Sequence, residues 1–316
     1  MPKKIIIDTD PGIDDAMAIL FAFNAPEIEV VGLTAVFGNV HVDLTTQNAL
    51  RLVELAGRPH LPVAQGAAKP LATPLMHIAD FVHGADGFGN TNQPPPTIEA
   101  VDKTAVQFII ETIMDNPGEI TLVPIGPLTN IALALALEPR IAQNVAEVVL
   151  MGGAATVSGN VTPAAEANII SDPHAADVVF TTDWPLTMVG LDVTNKAVMD
   201  AAYLNNLKAS GTKYCDFIYD ISHFYRQFHL DRYGIDEIAV HDASAIAYLI
   251  DPTLFTTQKG SVRVVVDGIA CGQTLMDRIG GWDSPNPWTE QPQVNVCVDV
   301  EGKRLIELYE RYMFGS

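Results

Sequence analysis

The sequence predicts an α/β fold in which helices flank an open, mostly parallel β-sheet. Strand-like apolar runs alternate with helix-like runs along the chain, an alternation typical of strands joined by crossover helices. The first run, Lys3–Ile7, is short and ends in three isoleucines, as expected for a strand buried on both faces. With 316 residues, 48% of them hydrophobic, the chain can bury the core of such a sheet.

The N-terminal half begins the alternation. Pro11 and Gly12 turn the chain after the first strand, and apolar spacing then predicts a helix at Ile13–Phe23. Hydrophobic periodicity predicts the next elements in this order: a strand at Glu29–Leu33, helices at Leu44–Ala56 and Ala105–Met114, and strands at Ile120–Val123 and Val145–Leu150. Between them, Ala67–Pro96 holds five prolines and three glycines, which predicts a long loop of the kind that often carries function.

The C-terminal half continues the pattern with more helix. The predicted elements are a helix at Ala175–Thr181, a strand at Leu186–Val189, a helical stretch from Met199 to Ile250, strands at Arg263–Val266 and Val294–Val300, and a last helix from Gly302 to Tyr312. Neither a repeat nor a low-complexity linker interrupts the chain. We therefore predict one domain over residues 1–316, with a helical elaboration in its C-terminal third.

Composition excludes several classes of partner. The net charge of −20 argues against binding to a nucleic-acid backbone or an anionic membrane surface. The three cysteines, Cys215, Cys271 and Cys297, show no CxxC spacing, which indicates a reducing compartment without a disulfide framework. The sequence shows no signal peptide and no apolar run long enough to span a bilayer. We therefore expect a soluble cytoplasmic protein.

Four aspartates, Asp8, Asp10, Asp14 and Asp15, lie within the first fifteen residues, at the exit of the first strand. Such a group repels itself unless a cation holds it together, and hard divalent metals prefer oxygen ligands. Open α/β sheets also keep their active sites at this edge. One or two of these carboxylates could instead cap the following helix, but capping does not need four. The pattern predicts a metal site.

Polar groups also follow later strands. The segments concerned are Ile125-Gly126, Met151-Gly152-Gly153 with Asn160, Glu166 and Asn168, and His241-Asp242 at the start of a helix. His83 lies in the Gly-rich loop, so two imidazoles that can carry a proton near neutral pH accompany the carboxylates. Each feature alone also fits an ordinary turn or helix cap. Together we expect them to converge on one edge of the sheet.

These residues resemble the inosine–uridine-preferring nucleoside hydrolases. The segment from Asp8 to Asp15 matches the DTDPGxDD signature of that family. The resemblance covers essentially the whole chain, because Gly38-Asn39, Gly126-Pro127-Leu128-Thr129-Asn130, Met151-Gly152-Gly153, Asn160, Glu166-x-Asn168 and His241-Asp242 follow in family order. It implies a Rossmann-like nucleoside hydrolase fold, hydrolysis of purine or pyrimidine ribonucleosides to base and ribose, a role in nucleoside salvage, and a homodimer or homotetramer.

The resemblance also implies the catalytic roles. Asp10, Asp15, Asp242 and the main-chain oxygen of Ile125 would bind Ca²⁺, and Asp10 would also deprotonate the attacking water. His241 would protonate the departing base. The apolar side chain at position 125 costs little if only its carbonyl binds the metal.

For the substrate, the resemblance implies that Asp14, Asn39 and Asn168 bind the ribose hydroxyls. Asn160 and Glu166 would lie near the 5′-hydroxyl, and Met151 would pack against the sugar. We expect the base-facing wall to include His83 and the helix that carries Tyr225, Gln227, His229 and Tyr233, where an aromatic ring could stack on a base and Gln227 could bond a pyrimidine edge. Helical spacing also fits plain packing for these residues, so base preference stays open.

Two other functions fit parts of the sequence. Asp8-Thr9-Asp10 after an apolar strand resembles the DxDx(T/V) motif of haloacid-dehalogenase-type phosphatases, with Asp8 as nucleophile, although Gly12 replaces the Thr or Val of that motif. A non-catalytic nucleoside-binding protein would keep the metal carboxylates but would need neither a base nor an acid.

Overall fold

The computed structural model describes residues 1–282 and 286–314. Its strands, in chain order, are β1 (Lys3–Thr9), β2 (Ile28–Ala35), β3 (Val63–Gln65), β4 (Ile120–Pro124), β5 (Glu147–Met151), β6 (Leu186–Val189), β7 (Val198–Asp200), β8 (Glu237–Ala239), β9 (Phe255–Gly260), β10 (Val262–Val264), β11 (Thr274–Met276) and β12 (Val294–Val300).

The helices alternate with these strands. They are α1 (Ile13–Asn24), α2 (Val42–Leu55), α3 (Asp80–His83), α4 (Ala105–Asp115), α5 (Thr129–Leu137), α6 (Ile141–Asn144), α7 (Ala167–Ser171), α8 (Pro173–Phe180), α9 (Leu191–Thr194), α10 (Ala201–Ser210), α11 (Lys213–Tyr233), α12 (His241–Ile250) and α13 (Gly302–Phe314). Each of the described helices is too short or too polar to cross a membrane.

An eight-stranded sheet forms the centre of the fold, in the order β3-β2-β1-β4-β5-β6-β12-β9. All neighbouring pairs run parallel except the last, because β9 returns antiparallel to β12 at one edge. This arrangement confirms the predicted open, mostly parallel sheet flanked by helices.

The sheet is buried on both faces, as the apolar first strand predicted. Side chains alternate along a strand, so Ile5 and Ile7 enter one hydrophobic cluster and Ile6 enters the other. All three are fully buried. The first cluster includes residues of α1, α11, α12 and α13, and the second includes residues of α4, α5 and α8.

Several short elements differ from the prediction. The stretch from Met199 to Ile250 is not continuously helical, because β7 and β8 pair antiparallel within it. The strand expected at Arg263–Val266 is shorter, and it pairs with β11 in a separate two-stranded sheet. The long loop from Ala67 to Pro96 contains the single-turn helix α3. The edge strands β3 and β9 were not predicted.

Candidate active site

A cavity of about 770 Å³ opens at the carboxyl ends of the central strands. Strand ends, α3, α11 and α12 contribute to its wall. The predicted site residues that line it are Asp14, Asn39, His83, Ile125, Met151, Asn160, Glu166, Asn168, Tyr225, His241 and Asp242. The expected convergence at one edge of the sheet is thus present.

Three buried carboxylates meet beside this cavity, and two of them, Asp14 and Asp242, line it. Asp14, Asp15 and Asp242 each offer an oxygen, and these oxygens lie within 4.8 Å of one another. The carboxylate ligands predicted from the sequence were Asp10, Asp15 and Asp242. The three carboxylates grouped here include Asp14 in place of Asp10. An all-oxygen donor set of this kind suits a hard divalent cation.

Asp10 lies beside this group in a recess made by two glycines. A side chain at Gly38 would collide with Asp10 Oδ2, and one at Gly126 would collide with Oδ1. Asn39 donates its backbone N–H to Asp10 Oδ2 at 2.7 Å. Asp10 Oδ1 is buried and accepts no hydrogen bond within the described part of the chain. A buried carboxylate oxygen without a partner is costly unless a ligand fills the gap, so this atom supports binding of a cation or a water here.

Asp15 is held by the turn that precedes α1. It accepts hydrogen bonds from Thr9 Oγ1 at 2.5 Å, from the Gly12 N–H at 3.0 Å and from Asn39 Nδ2 at 2.9 Å. The bond from Gly12 caps the first turn of the helix. This agrees with the alternative interpretation that one or two of the aspartates cap α1. Asp15 therefore caps the helix and belongs to the acidic group at once.

Burial raises the pKa of every carboxyl group in this cluster. The pKa values of Asp14 and Asp15 rise to about 6, chiefly because both side chains are buried. The pKa values of Asp10 and Asp242 lie well above their usual range, because of burial first and neighbouring carboxylates second. A cation would favour the ionised forms and reverse this effect.

Glu166 and Asn168 form a second polar group on the loop after β5. Glu166 caps α7 and accepts backbone N–H bonds from Gly153 at 2.9 Å and Asn168 at 2.8 Å. The Asn168 amide donates to the carbonyl oxygens of Ile125 at 2.9 Å and Met151 at 3.1 Å. These bonds join the ends of β4 and β5, and they orient polar atoms that suit sugar hydroxyls.

Asn160 lies at the outer part of this loop. Its side chain is exposed, and its Oδ1 accepts the Ala167 N–H at 3.1 Å.

Another part of the wall is aromatic, and it begins next to the acidic group, where His83 Nδ1 lies 3.9 Å from Asp14 Oδ1. Ile13 donates its N–H to His83 Nδ1 at 3.2 Å, so the proton of the neutral ring lies on Nε2. Burial lowers the pKa of His83 to about 4 and keeps the ring neutral near pH 7. The Tyr225 ring stacks on His83, with centroids 5.7 Å apart. His229 also lines the cavity, and its ring meets that of Tyr225 edge-on.

His241 begins α12 at the cavity wall. Its Nδ1 lies 2.7 Å from Thr194 Oγ1. Burial lowers the pKa of the imidazole, and the neighbouring His229 and His83 lower it further. Asp242, the next residue, belongs to the acidic group, so the start of α12 brings an imidazole and a carboxylate to the same cavity.

Four residues considered from the sequence do not line the cavity: Asp10 and Asp15, which are buried, and Gln227 and Asp8. Gln227 is exposed, and its amide donates to Asp231 at 2.8 Å rather than reaching the cavity wall. Asp8 is fully buried behind the site, where its Oδ1 accepts bonds from Thr34 and Asn130. Such burial contradicts the phosphatase alternative, because a nucleophile has to reach its substrate.

Some residues that shape the site were not singled out from the sequence. Asp192 accepts the N–H groups of Ala155 and Thr156 at 2.9 and 2.7 Å, and so ties the loop after β5 to α9. Asn48 on α2 donates to the Pro11 carbonyl at 3.0 Å. Neither residue lies in one of the aspartate-rich or glycine-containing motifs, so no local signal in the sequence indicated them.

Comparisons with known proteins show the family of the chain. The model of the family described as "Inosine-uridine preferring nucleoside hydrolase" matches residues 5–307. "Uridine nucleosidase 1" of Arabidopsis thaliana is 45% identical over 303 residues, which cover 95% of this chain and 90% of that protein. The "Inosine-uridine preferring nucleoside hydrolase" of Leishmania major is 44% identical over 307 residues, which cover 95% of both chains.

Solved structures extend the similarity to the fold. A plant nucleoside hydrolase covers 100% of both chains with a TM-score of 0.98 at 43% identity. A purine-preferring ribonucleoside hydrolase from Gardnerella vaginalis covers 99% of this chain and 98% of its own, with a TM-score of 0.92 at 34% identity. The chain therefore belongs to the inosine–uridine-preferring nucleoside hydrolase family and is an N-glycosyl hydrolase.

Proposed function

We propose that this enzyme cleaves ribonucleosides in a Ca²⁺-dependent reaction in which Asp10 activates the attacking water and His241 protonates the departing base. The observation that carries the proposal is the unpartnered, buried Asp10 Oδ1 beside three clustered carboxylates, with the His241 imidazole in the wall of the adjoining cavity. A base and an acid on opposite sides of a cavity are what hydrolysis of a glycosidic bond requires.

The residues present fit a calcium ion. Asp10, Asp15, Asp242 and the Ile125 carbonyl would hold it, and all of these donors are oxygen atoms, which Ca²⁺ prefers. When bound, the ion would lower the pKa of a coordinated water and neutralise the buried carboxylates. Asp14 is close enough to the same group to serve either as a further ligand or as the predicted contact to a ribose hydroxyl.

The protein groups divide the chemistry between them. The bond from C1′ to the base nitrogen breaks, and its electron pair leaves with the base, which takes a proton from His241. Water forms the new bond to C1′ and gives a proton to Asp10. The sum is nucleoside plus water to ribose plus base, and proton exchange with solvent restores both side chains.

His241 needs a proton to act as the acid. Burial lowers its pKa in the free protein, so the negative charge that develops on the departing base has to favour protonation of the ring. Positive charge that develops on the sugar is stabilised by the oxygens of Asp14, Asn39 and Asn168 around the ribose.

The names of similar proteins guide the choice of base. Relatives are named for uridine alone or for inosine and uridine together. We propose that this chain accepts both, because His83 with its Nε2–H and the Tyr225 ring offer hydrogen bonding and stacking that suit either a pyrimidine or a purine.

One substrate panel tests the proposal. The purified protein is incubated with Ca²⁺ and uridine, inosine, 2′-deoxyuridine, uridine monophosphate or a phosphate ester, and both reducing sugar and free phosphate are measured. We expect cleavage of the two ribonucleosides and a loss of roughly 10⁴-fold in kcat/KM for the deoxy analogue, because polar groups built for the hydroxyl are left unpaired. The monophosphate should also react poorly, because the acidic site repels it.

The Asp10→Ala variant provides the control for the base. It should lose several orders of magnitude in turnover, since removal of an activating base alone costs about 10²–10⁴-fold. Near-normal turnover by Asp10→Ala, or release of phosphate instead of sugar by the unmodified protein, would contradict the proposal.

We expect a dimer or tetramer that serves nucleoside salvage in the cytoplasm, and sedimentation analysis of the purified protein would measure the oligomeric state.

A further inference from the structure

Thr194 is a buried threonine whose hydroxyl contacts the proposed leaving-group acid. Its side chain is fully buried, and its Oγ1 lies 2.7 Å from His241 Nδ1. Because this bond occupies Nδ1, Nε2 is the ring nitrogen left for a ligand in the cavity that His241 lines.

The helix that carries Thr194 is fixed at two points by the loop after β5. Asp192 on α9 holds the Ala155–Thr156 backbone of the loop after β5. Leu191 donates its N–H to the Gly153 carbonyl at 2.8 Å. The position of the Thr194 hydroxyl is therefore set by the same backbone that carries the Glu166–Asn168 group.

The residue before His241 is tied to the same segment. Val240 donates its N–H to the Ala197 carbonyl at 2.9 Å, three residues after Thr194. Both ends of the Thr194–His241 contact are thus anchored through backbone hydrogen bonds, so the contact does not depend on two mobile side chains meeting.

We propose that Thr194 is a positioning residue for the reaction: its hydroxyl holds the His241 ring through Nδ1, so that Nε2 faces the leaving base and exchanges the proton with it. A hydroxyl accepts a bond from Nδ1–H both when the ring is fully protonated and after Nε2 has lost its proton. The contact therefore persists through the transfer and keeps the ring in one orientation. This inference rests on the proposed role of His241 as acid.

The test compares two leaving groups. Inosine needs a proton on its departing base, whereas an activated nitrophenyl riboside does not. Thr194→Val keeps the shape of the side chain and removes the hydroxyl. We expect it to lower kcat/KM for inosine roughly 10- to 100-fold, the range found when a hydrogen bond that orients a metal-bound histidine is lost, and to change kcat/KM for the nitrophenyl riboside less than about twofold. Thr194→Ser keeps the hydroxyl and should restore most of the inosine activity.

Thr46→Val is the matched control. Thr46 is also buried, but its hydroxyl donates at 2.7 Å to the Val42 carbonyl within its own helix, α2. Thr46→Val should leave the ratio of the kcat/KM values for the two substrates unchanged. Melting temperatures of all variants check that they fold.

A double-mutant cycle with His241→Ala separates this inference from the function it rests on. Selective loss of inosine cleavage in His241→Ala, with no further loss when Thr194→Val is added, supports both. Selective loss in His241→Ala together with an equal effect of Thr194→Val on both substrates overturns the role of Thr194 alone. Equal losses on both substrates in His241→Ala overturn the acid role, and the inference with it.

Discussion

At the scale of single residues, glycines shape the site as much as the charged residues do. Asp10 occupies space that a side chain at Gly38 or Gly126 would fill. The sequence motifs predicted that Asp10 and Asp15 belong to the site, because four closely spaced aspartates imply a cation. The sequence could not show why position 126 is a glycine, because the Asp10 carboxylate beside it follows a different strand.

We expect Gly126→Ala to damage catalysis more than folding. The new methyl group would collide with Asp10 Oδ1 and push the carboxylate away. A displacement of about 1 Å in a catalytic group can cost about 10²-fold in rate, so kcat for uridine should fall by about that factor while KM changes little. Steady-state kinetics and a melting curve measure the two effects. Unchanged kcat would show that the position of the Asp10 carboxylate tolerates movement.

At the scale of elements, α2 joins two loops of the site through one side chain. Asn48 is buried and donates to the carbonyl oxygens of Pro11 and Asp86, both at 3.0 Å. The Pro11 turn precedes the acidic group, and the Asp86 loop follows His83. Helical periodicity predicted α2 itself, but it could not show that a polar residue on its buried face bonds two distant loops.

We expect Asn48→Ala to lower both stability and activity. The buried Pro11 carbonyl and the half-buried Asp86 carbonyl would lose their donor. A buried group left unpaired costs about 1–3 kcal/mol, and the half-buried one costs less because water can reach it. The His83 loop would then be less firmly held against the acidic turn, so KM for nucleosides should rise several-fold. Urea unfolding and steady-state kinetics measure these changes.

The control for Asn48→Ala is Asn24→Ala. Asn24 ends α1, where its amide donates to the Leu20 carbonyl at 3.0 Å, and it does not line the cavity. It should reduce stability without changing KM. The same KM change in both variants would contradict a specific role for Asn48.

Short elements were the least predictable part of the fold. The strands β3, β7 and β8 have three residues each, too few to establish a two-residue periodicity. Their conformation is decided by pairing with partners that are distant in the chain, which local propensity does not contain. The long central strands and their helices, with strong apolar patterns, were predicted correctly.

At the scale of the whole molecule, parallel topology explains why a site could be expected at all. Loops that follow β1, β2, β4 and β5 come from distant parts of the chain, yet they meet because these strands are adjacent and run in the same direction. This convergence followed from the fold class. The detailed grouping, in which Asp14 lies with Asp15 and Asp242, depends on side-chain packing that sequence spacing cannot specify.

The same convergence concentrates negative charge inside a protein whose net charge is already −20, and this predicts how metal removal should affect stability. The pKa values of Asp14 and Asp15 are raised from 3.8 to about 6 in the folded chain. Between these values the folded state binds more protons than the unfolded state, so the free energy of unfolding of metal-free protein falls as pH rises through this window. The slope is up to about 1.4 kcal/mol per pH unit for each such group.

Calcium should reverse this loss, because it binds the ionised carboxylates of the folded state only. We expect the melting temperature of Ca²⁺-loaded protein to exceed that of metal-free protein by a margin that grows from about pH 4 to pH 6 and is largest above pH 6. Using the difference between the two forms cancels the titration of groups elsewhere in the chain. The Asp15→Asn variant is the control, since it removes one of the carboxylates proposed to hold the ion: the difference in melting temperature between its Ca²⁺-loaded and metal-free forms should be smaller than that of the wild type at pH 7. A difference between loaded and metal-free protein that is absent at pH 7 would show that these carboxylates do not hold the ion.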